Sequence, residues 1–190
     1  MDRAGCGGYN FSGTMSFQAE PRILFTRQEI AAAVSELAEE IGRDYRGKQP
    51  LIIGILKGSF MFMADLIRLL DFPVEVDFIG LSSYGRGRQS SGKVRVMHEL
   101  SSEIGGRDVL VLEDIVDTGR TTAFLLDYLR KRKPKSLKLC SLTDKPSRRE
   151  VPVTIDYLGF TVPDKFVVGY GIDWDEKYRS LPDICYLEDD

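Results

Sequence analysis

The sequence has one histidine, His98, and three cysteines, Cys6, Cys140 and Cys185, in 190 residues. Ser-His and Cys-His nucleophilic catalysis, and histidine-based metal sites, would all rest on that single imidazole. An odd number of cysteines without a CxxC spacing argues against a disulfide framework and against a zinc site. Long apolar runs are missing: none approaches the ~20 residues that cross a bilayer. The opening MDRAGCGGYNFSGTMSFQAE lacks the apolar stretch of a secretory signal. Charge of one sign is missing too. A net charge of −3 gives no general attraction to nucleic acid or anionic membrane, so neither is an expected partner and cytoplasmic residence is the expectation. What remains is an ordinary globular composition, 43% hydrophobic and 29% charged, in a chain long enough for one domain with a substantial core.

Residues 1–20, rich in Gly and Ser, read as a disordered leader ahead of a single domain over residues 21–190, with Met15 a candidate internal start. Thr26-Arg27-Gln28-Glu29 matches a capping box. Ile30, Val34, Leu37, Ala38 and Ile41 then recur at the spacing of one helix face. Residues 51–56 (LIIGIL) read as a buried strand, followed by Lys57-Gly58-Ser59 and a helix to about Leu70. Phe72-Pro73 breaks the chain, and Val74, Val76 and Phe78 alternate as in a strand. Further strands are expected over 94–97, 137–142 and 155–160, and a helix ending near Lys133 before Pro134. Alternating strands and helices predict an α/β fold with a largely parallel sheet.

Residues 109–122, VLVLEDIVDTGRTT, carry the strongest chemical signal. Four apolar residues suit a strand buried on both faces, and ligands bind beyond the carboxyl ends of such strands. The loop Thr118-Gly119-Arg120-Thr121-Thr122 opens a helical pattern and offers backbone amides, hydroxyls and a helix dipole to a phosphate. Glu113, Asp114 and Asp117 beside such a site would repel an anion unaided. They imply a bridging divalent cation, ligand hydroxyls, or positive charge developing on a substrate. Glu113 and Asp114 are consecutive, so on a regular strand they point to opposite faces. Either the strand bends there or only one acid reaches a ligand directly.

Other signals have plain readings beside the sharper ones. Arg130-Lys131-Arg132-Lys133 reads as a solvated helix end, where cations suit the dipole. His98 reads as a surface residue. Tyr170 and Trp174 read by type as core, with stacking on a planar ligand as the alternative. Asp173, Asp175 and Glu176 form an acidic turn that is either hydrated or a metal contact. The loop over residues 82–93 contains Gly85-Arg86-Gly87 but opens no helix, which rules out a dinucleotide fingerprint; it reads as a mobile lid or an inert surface loop.

Beyond these local readings, residues 113–122 resemble the PRPP loop of phosphoribosyltransferases, and roughly residues 22–187 resemble the hypoxanthine-guanine family in order. Leu56-Lys57-Gly58 resembles its pyrophosphate loop and Ser83-Tyr84 its mobile catalytic loop. Lys145 stands where the family commonly has a basic residue after the penultimate strand, which the resemblance assigns to purine binding, and PDKFVVGYGID (residues 163–173) resembles its purine-binding segment. Arg179 follows at the position of an arginine near the pyrophosphate, while Gly80 stands where some members carry an arginine.

The resemblance implies a type I phosphoribosyltransferase fold: a central, mostly parallel sheet flanked by helices, with a small hood built from terminal segments. It implies transfer of a phosphoribosyl group from PRPP to a 6-oxopurine, with Mg²⁺ as cofactor and a homodimer or homotetramer as assembly. In it Asp117 is the general base, and Asp117 to Thr122 hold the 5′-phosphate. Glu113 and Asp114 both reach the ribose hydroxyls or the metal, and Asp173 holds a metal. Lys57, Gly58 and Arg179 take the pyrophosphate, Lys165 donates to the 6-oxo group, Phe166 stacks and the Val167 backbone reads the exocyclic edge. A non-catalytic PRPP or nucleotide sensor on the same fold is the alternative, but it could dispense with Asp117, Lys165 and Asp173, which are all present. A response-regulator-like signalling domain would need neither the Gly/Thr loop nor the 163–173 segment.

Overall fold

The capping box forms as its residues predict. The Thr26 amide donates to Glu29 Oε2 at 2.8 Å and the Glu29 amide to Thr26 Oγ1 at 3.3 Å, which starts α1 (Arg27–Tyr45). Its stripe of Ile30, Val34, Leu37, Ala38 and Ile41 is buried. The computed structural model describes residues 20–83 and 94–188, with the backbone alone at Ser83. The expectations for residues 1–19, for Tyr84 and for the rest of its loop to residue 93 lie outside the described residues.

Before α1 comes β1 (Arg22–Phe25). After it come β2 (Leu51–Leu56), α2 (Phe60–Ile67), β3 (Glu75–Ser83), β4 (Val94–His98), β5 (Asp108–Val116), α3 (Arg120–Arg130), β6 (Ser136–Asp144), β7 (Tyr157–Thr161), β8 (Phe166–Val168) and β9 (Ile184–Leu187). Six strands form the central sheet in the order β4-β3-β2-β5-β6-β7. All neighbours pair in parallel except β3 and β4. The hood is a second, three-stranded sheet, β1-β9-β8, drawn from the two ends of the chain.

Period-two alternation divides the core between the faces of the central sheet. Ile52, Leu110 and Leu112 pack with α1 and α2 on one face. Leu51, Ile53, Val109 and Val111 pack with Leu125, Leu126 and Leu129 of α3 on the other. Residues 109–112 are fully buried, as a strand covered on both faces requires.

Three expectations need correction. The helix after β2 ends at Ile67, and α3 at Arg130, each three residues early. Tight turns close both, Leu69 N–H to Leu66 O and Lys133 N–H to Arg130 O, each at 3.0 Å, and Lys133 adopts φ 56°. On β3, Val76 is 46% exposed while Asp77 is buried. Phe78 packs on one core and Ile79 on the other, so alternation there does not mark a single inner face. The Asp77 carboxylate is satisfied by the amides of Ser102 (2.7 Å) and Phe78 (2.8 Å). No helix among the described residues is long and apolar enough to cross a membrane.

Candidate active site

The strand order fixes where a ligand can sit. From β2 the chain moves outward to β3, and from β5 it moves the other way to β6 and β7. The reversal falls between β2 and β5, and in such sheets the crevice opens there, beyond the carboxyl ends. The loop after β2 carries Lys57 and Gly58; the loop after β5 carries Asp117, Thr118 and Gly119. Between them lies a cavity of about 400 Å³ lined by these five residues, Glu113, Asp114, Thr121, Thr122 and, from the hood side, Asp173 and Arg179. Residues separated by more than 100 positions thus share one wall.

Gly58 is the point of closest approach. A Cβ there would lie 1.8 Å from Asp114 Oδ2, and a Cβ on Gly171 (φ +99°) would lie 2.2 Å from the Gly58 carbonyl oxygen. The preceding Leu56–Lys57 peptide is cis. Only glycine lets the β2 loop, the acidic pair and the hood meet here.

β5 does not break at the acidic pair. It stays in register with β6 at Glu113↔Ser141 and again at Ile115↔Thr143, while its pairing with β2 stops at Leu112. One edge of β5 is therefore open, and both carboxylates line the cavity and hydrogen-bond each other. Burial, then the neighbouring Asp114 charge, pushes Glu113 well above the usual carboxylate range; a bond from Thr122 opposes this. Burial also raises Asp114, with the Glu113 hydrogen bond and the more distant Arg179 charge pulling it back. Two carboxyls held in contact away from water disfavour double ionisation.

The loop after β5 enters α3 through Gly119 at φ +82°. A Cβ at Gly119 would lie 2.4 Å from the Val151 carbonyl oxygen. The amides of Glu150 and Val151 donate to the Thr118 carbonyl at 2.9 and 3.0 Å, so the segment after β6 braces the loop. Arg120 turns outward and pairs with Glu150; its side chain is not part of the cavity wall. Asp117 Oδ1 is buried without a hydrogen-bond partner, and Arg148 Nε stands 3.6 Å from it.

The purine segment is placed differently from expectation. Lys165 puts its ammonium 3.7 Å from the Tyr186 ring centroid, a cation–π contact, and does not line the cavity. Lys145 is the buried lysine: it is 4% exposed and donates from Nζ to the Lys165 carbonyl at 2.7 Å. Burial lowers its pKa, while the Asp117 charge works the other way. Val167 is buried; Phe166 is exposed and meets Trp174 edge-on at 6.3 Å. Trp174 is itself 42% exposed, so it is not a core residue, whereas Tyr170 is buried and donates its hydroxyl to Asp65.

On the hood side Arg179 donates from Nη1 to the Gly171 carbonyl (2.8 Å) and pairs through Nη2 with Asp173 (2.8 Å) and Glu176 (3.2 Å). Its Nε is buried with no partner. Sequence reasoning passed over Arg148, Ile115 on the cavity wall and the contacts of Glu176. The basic pair Arg148-Arg149 after β6 was the available signal for the first; nothing local marked the others.

Residues 23–175 match the family model described as phosphoribosyl transferase domain. The chain is 46% identical over 167 residues to the hypoxanthine-guanine phosphoribosyltransferase of Bacillus subtilis (strain 168), covering 88% of this chain and 93% of that protein. It is 45% identical over 180 residues to the bifunctional protein TilS/HprT of Listeria monocytogenes serotype 4b (strain F2365), covering 94% of this chain but only 28% of that longer relative. A crystal structure of a hypoxanthine phosphoribosyltransferase from Staphylococcus aureus aligns with TM-score 0.84 and 43% identity, over 88% of this chain and 91% of that one. Matched by its fold, its loops and most of its length, the chain belongs to the phosphoribosyltransferase family, in the hypoxanthine-guanine branch.

Proposed function

We propose that this chain transfers the 5-phosphoribosyl group from PRPP to a ring nitrogen of hypoxanthine or guanine, releasing pyrophosphate. The observation that carries this reading is the cavity itself, where a Gly/Thr loop, an acidic pair, a carboxylate oxygen that accepts no hydrogen bond and two cations converge. The amides and hydroxyls of residues 118–122, including the Arg120 amide, hold the 5′-phosphate at the start of α3. Lys57, the Gly58 backbone and Arg179 take the pyrophosphate. Glu113 and Asp114 accept from the ribose hydroxyls, and their negative charge favours an oxocarbenium-like anomeric centre.

Asp117 Oδ1, free of any hydrogen bond, accepts the proton that leaves the imidazole ring as the new bond forms. Lys145, lying within the field of Asp117, takes over the role first assigned to Lys165 and donates to the 6-oxo group. Adenine, whose amino group accepts poorly, is selected against. Phe166 stacks on the base and the Val167 backbone reads its far edge.

The donor set fits Mg²⁺, which is held by one or two carboxylates with substrate oxygens completing the shell. No three His, Cys, Asp or Glu converge into a full cage among the described residues. Asp173 would hold an ion on the pyrophosphate side, and the Glu113–Asp114 pair one at the ribose; when bound, such an ion would offset the charge of the pyrophosphate. Assembly as a homodimer or homotetramer in the cytoplasm belongs to the same reading.

Purified protein with PRPP and Mg²⁺ is expected to convert hypoxanthine and guanine to their monophosphates and to use adenine poorly. Equal turnover of adenine and hypoxanthine would refute the base assignment. Asp117→Asn is expected to keep PRPP binding and lose turnover by ~10²-fold; near-normal turnover would remove Asp117 from the mechanism.

A further inference from the structure

Glu176 sits where an incoming anion would sit. Its Oε1 accepts from Lys57 Nζ at 3.0 Å and its Oε2 from Arg179 Nη2 at 3.2 Å. One carboxylate thus spans the two cations assigned above to the pyrophosphate, with a separate oxygen for each. Among the described residues, no other carboxylate pairs with Lys57.

The backbone that presents Glu176 is stiff. Trp174 and Lys177 exchange backbone hydrogen bonds at 3.2 and 3.0 Å across the two residues between them. Asp175 and Glu176 have φ 52° and 61°, the positive values that a type I′ turn requires at both central positions. Asp173 Oδ2 accepts the Glu176 amide at 2.9 Å, so the carboxylate that grips Arg179 also fixes the turn.

The side chain, in contrast, is loosely held. Glu176 and Lys57 are each 65% exposed, and exposed ion pairs are weak and screened. Asp173, at 29% exposure and 2.8 Å from Arg179, is the firmer partner.

We propose that Glu176 is an internal stand-in for the pyrophosphate, competing with it for Lys57 and Arg179. It occupies both cations while the site is empty, swings aside when PRPP enters, and returns as pyrophosphate leaves. This rests on the reading of Lys57 and Arg179 as the pyrophosphate cations. It makes Glu176 a competitor of the ligand, which fixes the sign of its removal: binding tightens. A mere strut for Arg179 would give the opposite sign.

The test is calorimetric titration of inorganic pyrophosphate with Mg²⁺ into the full-length protein and into Glu176→Gln, with the KM for PRPP measured alongside. The variant is expected to bind pyrophosphate about 3- to 10-fold more tightly, the scale of releasing two ion pairs of an exposed carboxylate. Its KM for PRPP should fall in parallel, and the gain should shrink at high salt. Equal or weaker binding by Glu176→Gln overturns the proposal, and Glu176→Ala supplies the same reading should the first variant fail to fold. Wild-type protein that binds neither pyrophosphate nor PRPP would overturn the cation assignment as well, and would show this without any variant.

Discussion

At the amino ends of β6 and β7, Lys138 Nζ donates to Asp44 (2.6 Å) and to the Tyr157 hydroxyl (2.9 Å), and that hydroxyl donates to Asp44 (2.6 Å). Beside them Ser136 and Lys135 donate to Asp108, at 2.6 and 2.9 Å, and the Leu139 amide to Asp156 at 2.8 Å. The buried Tyr45 hydroxyl is the exception, without a partner. These partners hold Asp44 and Asp108 below the usual carboxylate range, through Lys138 and then Tyr157 for the first and Ser136 and then Lys135 for the second. At the carboxyl ends of the same sheet, burial drives Glu113 and Asp114 the other way, and Asp117 and Arg179 each keep a buried polar atom without a hydrogen bond. One end meets the demand of its polar groups internally; the other leaves it for a ligand to meet. Groups held against their solution preference inside a cleft mark the end that does chemistry.

Gly58→Ala would break this contrast most severely. A methyl group 1.8 Å from Asp114 Oδ2 must push the acidic pair or the loop away, and a displacement near ~1 Å can cost ~10²-fold in rate. Steady-state turnover is expected to fall by at least that much. Turnover close to wild type would mean that the approach of loop and acid is not needed.

The next effect is on pH dependence. Burial lowers the Lys145 pKa, so its ammonium is lost as pH rises through a value below that of an ordinary lysine. The kcat/KM for hypoxanthine should then decline on the alkaline side by roughly 10-fold or more, the worth of a charge-assisted hydrogen bond. Lys145→Arg, which stays charged, should move that limb out of range. An identical limb in the variant would assign it to another group.

Tyr157→Phe should touch only the amino end. It is expected to lower unfolding free energy by about 1 kcal/mol with unchanged kcat/KM. The depressed Asp44 pKa contributes stability above the ordinary carboxylate value and loses it as pH falls through the folded value. The gap between variant and wild type in urea unfolding should therefore narrow in acid. Altered turnover would show that the two ends are coupled.

Local pattern was enough for much of the fold. The capping box and apolar stripe gave α1, and the run over residues 109–112 gave a doubly covered β5, because each depends on residues a few positions apart. β3 was harder: with apolar residues needed on both faces, alternation loses its meaning. The hood strands β1, β8 and β9 are only three or four residues long, too short for a period to register, and came from the resemblance. Trp174 differs because residue type alone cannot show that a side chain lies on an exposed turn.

At the site, the sequence by itself determined the chemistry. The Gly/Thr loop, the three acids around it and the glycines at positions 58 and 119 are written in residue type and order, since backbone amides, carboxylates and missing Cβ atoms act wherever they are put. Tertiary structure alone decided which groups meet. It set Lys145 rather than Lys165 near Asp117, brought both members of the acidic pair to one cavity by ending the β2 pairing early, and laid Glu176 across Lys57 and Arg179. Those choices depend on the strand order that opens a crevice between β2 and β5 and on the hood folded over it, which bring Lys57 and Glu176 together across 119 residues.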